Sequence, residues 1–419
     1  MRTSPAVAVS GRSFRIFLAG RTVSELGSRV TREGLPIIAV LLLHATARDL
    51  SWLAGLAYLV ALVAAPLSGV LVDRVRRRPL LIASDVLRAT LLGLLTLLAL
   101  TGRLSFWQLL VAFGLVATLN TLFDVADQAW LPGLVGREQL SPANAGLAVA
   151  SAIGETGGPA LMGILIQFLG GPLTILSDAV SYLASAVTLL YLHDPEPGAG
   201  HVQPQVSRAV REGLAALWRH PLLRPLALAA ALISLCGGIF DALYAFYALR
   251  DLHLSPLAIG LLITGGGLGA LLGGVLAPRA ARRFGLGRSA LYGLLGFGLL
   301  TLLVPLAPAT PFLGFLFLLA AQIFGDLAET LFGFGEAVLR QSLTPGHWLG
   351  RISGSQRLLG NVLGAVGAFG GGLMAGPLAV RGALFVGALV ALLGLVWLVR
   401  SPLPALASAP IGEPDSFPA

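Results

Sequence analysis

Long apolar runs alternate with short polar breaks along almost the whole chain of 419 residues. A helix needs about 20 apolar residues to cross the hydrocarbon core of a bilayer. Dividing the chain at its polar, proline and glycine positions therefore predicts twelve membrane-spanning helices. The predicted segments are 14–43, 50–72, 79–100, 105–131, 143–168, 172–192, 223–249, 256–277, 288–306, 312–340, 353–375 and 378–399.

One break is long, and it divides these segments into two sets of six. Residues 193–222 are rich in proline and glycine and then become charged. We therefore predict an all-α membrane protein with two pseudo-symmetric six-helix bundles, 14–192 and 223–400, joined by a cytoplasmic linker. The short tails 1–13 and 401–419 complete the chain, and the proline- and alanine-rich composition of the second tail favours disorder.

The linker contains a further predicted helix over 207–220. Its apolar residues recur at helical spacing on one face, and charged residues occupy the other. An amphipathic helix of this kind is typical of a segment that lies on a membrane surface, so we expect it on the inner leaflet. The apolar face carries Val210, Leu214, Leu217 and Trp218.

Composition and charge support a membrane location. The chain is 56% hydrophobic and 11% charged, with a mean hydropathy of +0.85, whereas about a quarter of a soluble protein is charged. The net charge of +8 would suggest a nucleic-acid partner for a soluble protein, but cytoplasmic loops of membrane proteins also retain arginine. With both termini on the cytoplasmic side of the inner membrane, the outer loops carry only Arg48, Arg103, Arg250 and Arg381.

The sequence contains few residues that indicate an enzyme active site or a metal site. A single cysteine, Cys236, excludes a disulfide framework and a cysteine-based metal site. The six histidines lie mostly in predicted loops, and the absence of a Walker loop argues against ATP as the energy source. We expect no cleavable signal peptide, no cofactor and no nucleic-acid partner.

A basic turn between the second and third segments carries the most specific motif, G-x-L-x-D-R-x-x-R-R. Its arginines suit a cytoplasmic topology anchor, but its aspartate adds nothing to that role. A similar layout recurs at 274–283, with Pro278 in place of the aspartate. The residues of the first copy are Gly69, Asp73, Arg74, Arg77 and Arg78.

This motif resembles the loop between helices 2 and 3 of major facilitator superfamily transporters. Over nearly its whole length the chain resembles the prokaryotic exporter branch that includes enterobactin exporters and macrolide efflux proteins. The resemblance implies the major facilitator fold and a cytoplasmic gate that involves Asp73. The residues that carry the narrower resemblance are Gly20–Thr31, Phe123, Asp124, Gln128, Leu131, Pro132, Leu134, Val135, Ala143, Asn144 and Asp178–Tyr182.

The fifth segment contains a second motif, similar to the G-x-x-x-G-P-x-x-G-G motif of antiporters in this superfamily. It consists of Gly154, Gly158, Pro159 and Gly163, with Met162 in place of one glycine. Small residues allow two helices to approach closely, and proline bends a helix. The resemblance implies export by antiport, and ordinary close packing is the alternative.

Charged residues within the first segment are candidates for substrate or proton contact, because a buried ion needs a partner or a wet cavity. Four of them recur at four-residue spacing, which places them along one stripe of a helix. Either they neutralise one another as a structural ladder, or Glu25 or Arg29 lines a cavity. The stripe consists of Arg21, Glu25, Arg29 and Glu33.

Carboxylates in other segments are further candidates. Asp326, Glu329 and Glu336 share one face of the tenth segment, and burial beside like charge favours the protonated form that proton coupling requires. Glu155 in the fifth segment and Asp241 in the seventh are additional candidates.

Two acids in the fourth segment are assigned to the cytoplasmic gate. Asp124 and Asp127 are three residues apart and share a helix face. We expect their partners among the arginines of the 74–78 turn or at Arg88, unless Arg88 pairs with Asp85, which is three residues from it.

These observations favour a secondary active transporter rather than an enzyme. We expect proton-driven efflux of a small apolar or amphipathic compound, such as a drug, a macrolide or a siderophore-like molecule. The expected partners are this small molecule, protons and membrane lipid, with the chain acting as a monomer. The alternatives are a proton-coupled uptake symporter for a sugar or organic acid, and a membrane sensor or scaffold without transport activity.

Overall fold

A computed structural model describes residues 11–192 and 206–406, and these residues form thirteen α-helices and no strand. The predicted tails over 1–10 and 407–419 and the linker residues 193–205 lie outside the described residues. The helices are α1 (Gly11–Leu42), α2 (Ala47–Val72), α3 (Arg77–Leu100), α4 (Phe106–Val135), α5 (Leu140–Leu169), α6 (Gly171–Leu190), α7 (Val206–Arg219), α8 (Leu223–Phe246), α9 (Pro256–Phe284), α10 (Leu286–Thr301), α11 (Pro311–Leu343), α12 (Gly346–Met374) and α13 (Ala379–Val399).

Twelve of the described helices coincide with the twelve predicted segments, and the all-α fold is confirmed. Nine of the helices in the described ranges are long and apolar enough to cross a membrane, with the π turn Tyr247–Asp251 extending α8. The helices at the three other predicted segments do not meet this criterion of length and hydropathy. α1 carries the charged stripe, α10 has only 16 residues, and α12 contains many glycine and polar residues.

Several helices extend beyond the predicted segments. α9 continues to Phe284 rather than ending at 277, and it contains Pro278. The second copy of the basic-turn motif, at 274–283, is therefore helical. The chain turns instead at Gly285, whose φ of +87° is unfavourable for residues with a Cβ atom. α12 likewise begins at Gly346 rather than 353. Hydropathy marks where a segment leaves the apolar layer, whereas a helix continues as long as its backbone remains hydrogen-bonded.

The chain divides into two compact units. The first combines Met1–His44 with Val60–Gln203, and the second combines Ala45–Leu59 with Pro204–Ala419, so that α2 contributes to both. Each unit has a buried apolar core and exposes many large apolar side chains. Exposed apolar surface of this extent is typical of a protein surrounded by lipid.

Within the first unit, α1 packs against α5, α6 and α4. Its contact with α6 is close because Gly20 lies against Thr188 and Gly27 against Ser181. At the other face, the Phe17 ring meets Trp130 of α4 edge to face, with 5.5 Å between centroids. The charged stripe of α1 therefore lies inside a helix bundle.

In the second unit, the predicted amphipathic helix forms as α7 and packs against α12. Leu217 is buried, whereas Trp218 is half exposed. Ser355 Oγ donates a hydrogen bond to the carbonyl of Val210 at 3.0 Å. Part of the apolar face that we expected on the inner leaflet is thus covered by protein.

Candidate transport site

Three side chains of the charged stripe of α1, those of Arg21, Glu25 and Arg29, are each less than a fifth exposed in the first unit. Glu25 is 3.5 Å from both neighbouring arginines, with Arg21 Nη2 on one side and Arg29 Nε on the other. The fourth member, Glu33, pairs with the adjacent Arg32 at 3.6 Å. Alternating charge therefore neutralises part of the stripe within α1 itself.

Both arginines of the stripe also bind acids on other helices. Arg21 Nη2 donates to Asp124 Oδ1 on α4 at 2.6 Å, and its Nε lies 3.5 Å from Asp127 Oδ2. Arg29 Nη2 donates to Glu155 Oε1 on α5 at 2.7 Å. Hydrogen bonds between two charged groups are among the stronger ones in proteins. The stripe therefore connects α1 to α4 and α5 rather than being satisfied within α1.

The expected partners of Asp124 and Asp127 were wrong. We expected arginines of the 74–78 turn or Arg88, but the structure pairs both acids with Arg21. The reason is that α1 packs directly against α4, which brings a guanidinium group of α1 to the acidic face.

Arg88 is engaged elsewhere, in the buried core of the first unit. It pairs with Asp85, as expected, and its Nη1 donates to Asn120 Oδ1 at 2.6 Å. The guanidinium group lies over two aromatic rings, 4.5 Å from the centroid of Phe123 and 4.1 Å from that of Tyr182. These contacts satisfy the buried cation by an acid, an amide and two π faces.

This buried cluster is connected to the α1 stripe at two points. The Tyr182 hydroxyl lies 2.9 Å from Ser28 Oγ on α1. The Arg21 guanidinium group also stacks on the Phe123 ring, with 5.1 Å between the guanidinium carbon and the ring centroid. The positions of the stripe and of the buried Arg88 are therefore coupled through shared side chains.

The antiporter-like motif makes room for the charged stripe. A Cβ atom added at Gly154 would lie 2.6 Å from Glu25 Cγ, and one at Gly158 would lie 2.5 Å from Arg29 Cβ. Real Cβ atoms do not approach other carbons this closely, so only glycine allows α5 to contact α1 here. Two glycines of the motif thus lie directly against two charged residues of the stripe.

The remaining motif residues are also buried in the α1–α5 interface. Pro159, Met162 and Gly163 are buried within α5, which continues through the proline. Met162, which replaces a motif glycine, packs against Gly34 of α1, whose added Cβ would lie 3.1 Å from Met162 Cγ. The bulky residue on α5 is therefore accommodated by a glycine on α1.

In the basic turn, the last two arginines bind backbone carbonyls of neighbouring helices. Arg77 Nη1 donates to Ala129 O on α4 at 3.1 Å. Arg78 donates to the carbonyls of Leu189 and Leu190, at 3.0 and 2.9 Å. Carbonyls at the end of a helix lack partners within the helix, so Arg78 satisfies the end of α6.

The first residues of the turn are less engaged. Asp73 N donates to Gly69 O at 3.1 Å and ends α2. Arg74 is exposed, and within the described part of the chain the Asp73 carboxylate forms no ion pair. The role of Asp73 in a gate stays a prediction.

A cavity of about 610 Å³ opens between α1, α4 and α5 of the first unit. Its polar wall includes the Arg21–Asp124 pair, and its apolar wall comes from leucine, alanine and proline side chains. This volume lies in the range of small-molecule sites. The lining residues are Arg21, Glu25, Asp124, Asp127, Gln128, Leu131, Pro132, Leu140, Asn144, Leu147, Ala150 and Ser151.

The second unit holds a different arrangement, in which three acids from α8 and α11 lie near one another. Asp241 on α8 accepts a hydrogen bond from the Tyr58 hydroxyl at 2.7 Å. Asp326 on α11 lies against Gly266 of α9, and the electrostatic neighbours of Glu329 are Asp326 and Asp241. Among the described residues, no basic side chain pairs with Asp326 or Glu329.

Glu336, the third acid of α11, is in a separate environment. It lies 3.0 Å from Arg340 Nε, and its Oε1 accepts a hydrogen bond from Gln356 at 2.9 Å. Arg340 in turn donates to Ser353 at 2.6 Å. Of the three acids on this face, Asp326 and Glu329 have no cation partner among the described residues, whereas Glu336 forms an ion pair with Arg340.

Residues 30–249, more than half of the chain, match the sequence profile of the Major Facilitator Superfamily. The chain belongs to the Major Facilitator Superfamily. It is therefore a multi-pass membrane transporter for a small molecule, not an enzyme.

Two relatives in this superfamily confirm the branch that the sequence motifs indicated. Enterobactin exporter EntS of Citrobacter koseri is 27% identical over 438 residues, covering 98% of this chain and 97% of the exporter. Macrolide efflux protein A of Streptococcus pyogenes is 24% identical over 345 residues, covering 81% of this chain and 83% of that protein.

A solved structure supports the major facilitator fold. The crystal structure of a bacterial homologue of the iron transporter ferroportin, in its inward-facing state, matches with a TM-score of 0.76 at 20% identity. The match covers 93% of this chain and 98% of that one, and it shows the fold alone. In the part of the chain that the structure describes, no group of three or more His, Cys, Asp or Glu residues is placed to hold a metal ion.

Sequence reasoning missed two polar residues that organise these sites. Tyr58 binds Asp241, and Asn120 accepts hydrogen bonds from both Arg88 and Tyr182. Each is a polar residue within an apolar segment, which could have marked it as a candidate. The partner of each residue depends on how the helices are rotated and shifted against one another, and a single sequence does not show this packing.

Proposed function

We propose that the chain is a proton-driven exporter of a small apolar or amphipathic compound across the inner membrane, with both termini in the cytoplasm. The names of the two relatives, an enterobactin exporter and a macrolide efflux protein, support efflux. The arginine-rich turn at 69–81 and the scarcity of arginine in the opposite loops support the orientation.

The observation that carries proton coupling is the acidic pair on α11. Asp326 and Glu329 are neighbours, and among the described residues neither pairs with a cation. An unpaired carboxylate in a membrane helix is costly, and protonation removes that cost. We assign these two acids, with Asp241 beside them, to proton binding.

The first unit has the features of a substrate and gating site. The Arg29–Glu155 pair holds α1 to α5, and Arg21 holds α1 to Asp124 and Asp127 on α4. In transporters of this architecture, two bundles move about a central site, and we assign 14–192 and 223–400 to them. The ion pairs of α1 and the turn at 69–78 are the contacts that we expect to break and form again.

Proton movement in inside-out vesicles tests this proposal. The vesicles are energised to an acidic interior, and a panel of lipophilic amines, macrolides and catecholate siderophores is added. We expect at least one compound to release protons from vesicles that contain the protein, and Asp326→Asn and Glu329→Gln to abolish that release.

Glu212→Gln is the matched control, because it makes the same carboxylate-to-amide change in α7, at a residue that lines neither site. Proton release that persists unchanged in both α11 variants would refute the assignment of the proton site. Accumulation of a sugar or organic acid together with protons, without release by any panel compound, would instead favour an uptake symporter.

A further inference from the structure

The cavity of the first unit combines an acidic wall with an apolar wall. α1 and α4 supply the charged side chains, and α5 contributes Leu140, Asn144, Leu147 and Ser151 at helical spacing. Leu131 and Pro132 of α4 extend the apolar part. A ligand that fills this cavity therefore needs a polar end and an apolar body.

The charge of the polar wall is not balanced. Three carboxylates, those of Glu25, Asp124 and Asp127, lie within 3.5 Å of Arg21, and Glu25 also lies 3.5 Å from Arg29. The next pair along the stripe, Arg29 with Glu155, adds one charge of each sign and leaves the excess unchanged. The cavity is thus negatively charged when these groups are ionised, and it favours a cation over an anion.

The two carboxylates that α4 contributes to this wall differ in exposure. The Asp124 side chain is 50% exposed although it binds Arg21, so part of the carboxylate remains open. Asp127 is buried, its Oδ1 accepts no hydrogen bond from the described residues, and its Oδ2 is 3.5 Å from Arg21 Nε. The Oδ1 atom has no accessible surface, so Asp127 acts on a ligand in the cavity through its negative charge rather than through a hydrogen bond to Oδ1.

We propose that this cavity binds an amphipathic organic cation, whose protonated amine is held by Asp124 and Asp127 and whose apolar body lies against Leu131, Leu140 and Leu147. This inference rests on the proposed export function and narrows its substrate class to cations. An anionic compound, such as a siderophore with ionised catecholates, would meet uncompensated negative charge in the same cavity.

A series of probes that differ only in charge tests the proposal. The full-length protein in neutral-lipid nanodiscs is titrated by calorimetry with dansylcadaverine, a primary amine, with its neutral N-acetyl derivative, and with a dansyl aminohexanoate anion. Empty nanodiscs give the background from partition into lipid. We expect the amine to bind at least about tenfold more tightly than the neutral probe, and the anion not to bind.

Isosteric variants locate the binding site. Asp124→Asn and Asp127→Asn should each weaken binding of the amine by about tenfold, because each removes one negative charge from the cavity wall; tenfold corresponds to about 1.4 kcal/mol. Glu212→Gln should leave binding unchanged. The charge series on the unmodified protein remains decisive if either aspartate variant does not fold.

The outcomes separate this inference from the proposed function. Equal affinity for the three probes, tighter binding of the anion, or unchanged binding in both folded aspartate variants would overturn the cation site, even if export occurs. Selective binding of the amine that depends on Asp124 and Asp127 would support the site, even if the vesicle assay shows no proton-coupled export.

Discussion

Single glycine residues determine whether the charged stripe of α1 can lie inside the first unit. Gly154 and Gly158 face the stems of Glu25 and Arg29 at distances that leave no space for a methyl group. The residue immediately before Gly158, Gly157, has only an ordinary contact, 3.7 Å from an added Cβ to Leu26 Cδ2. The adjacent glycines Gly157 and Gly158 therefore differ: Gly158 is required for the close approach of α5 to α1, whereas Gly157 has room for a methyl group.

Alanine at these neighbouring positions should have opposite effects on thermal stability. Gly158→Ala forces Arg29 away from α5 and should destabilise the protein by about 1–3 kcal/mol, the usual cost of overpacking. Gly157→Ala should be neutral or stabilising by up to about 1 kcal/mol, because alanine favours the helix. Thermal unfolding of both variants in the same detergent measures the difference, and equal melting temperatures would contradict the close α1–α5 contact.

At the scale of residues, the sequence identified the charged residues of the candidate site but not the residues with which they pair. Charges inside apolar segments identified Arg21, Glu25 and Asp124 directly. The contact from Arg21 to Asp124 joins residues 103 positions apart, and it depends on the rotation and depth of α1 against α4. Neither quantity follows from helical periodicity, which is why the expected partners at 74–78 were wrong.

At the scale of elements, α1 and α5 pack through an exchange of large and small residues. The antiporter-like motif has Met162 where a glycine is expected, and α1 has Gly34 at the facing position. Met162 is fully buried, so its side chain fills the space that Gly34 leaves. The departure from the motif is therefore compatible with a tight interface.

A double-mutant cycle tests this exchange. Met162→Gly should cost about 2–5 kcal/mol, as for other deletions of large buried side chains, and Gly34→Met should destabilise through a clash. The double variant should be more stable than the sum of the two single effects predicts, because the large residue has moved to the other helix. Additive changes in unfolding temperature would show that the two positions do not share one space.

Helix positions were predictable because most membrane spans are long apolar runs, and a helix lies at each of the twelve predicted segments. Their ends were less predictable. α12 begins seven residues before the predicted start, and Arg351 in this added stretch lies 3.2 Å from Glu212 on α7. Polar contacts of this kind stabilise helical turns that hydropathy excludes.

At the scale of the whole molecule, the two compact units carry different charge chemistry. The first unit pairs its arginines with acids around a cavity, whereas the second holds Asp326 and Glu329, which have no cation partner among the described residues. We therefore assign cation binding to the first unit and proton binding to the second. Exchange of protons for substrate requires that the occupancy of one site changes the affinity or accessibility of the other.

Transport in proteoliposomes under pH gradients of both signs tests the central claim, proton-driven antiport, most directly. The substrate is a compound that releases protons in the vesicle assay, and protein-free liposomes correct for passive partition. We predict substrate movement opposite to proton flow, with reversal when the gradient is reversed. Asp326→Asn with Glu329→Gln should abolish this response while substrate-for-substrate exchange continues. Movement of substrate in the same direction as protons, or independent of the gradient, would contradict the account.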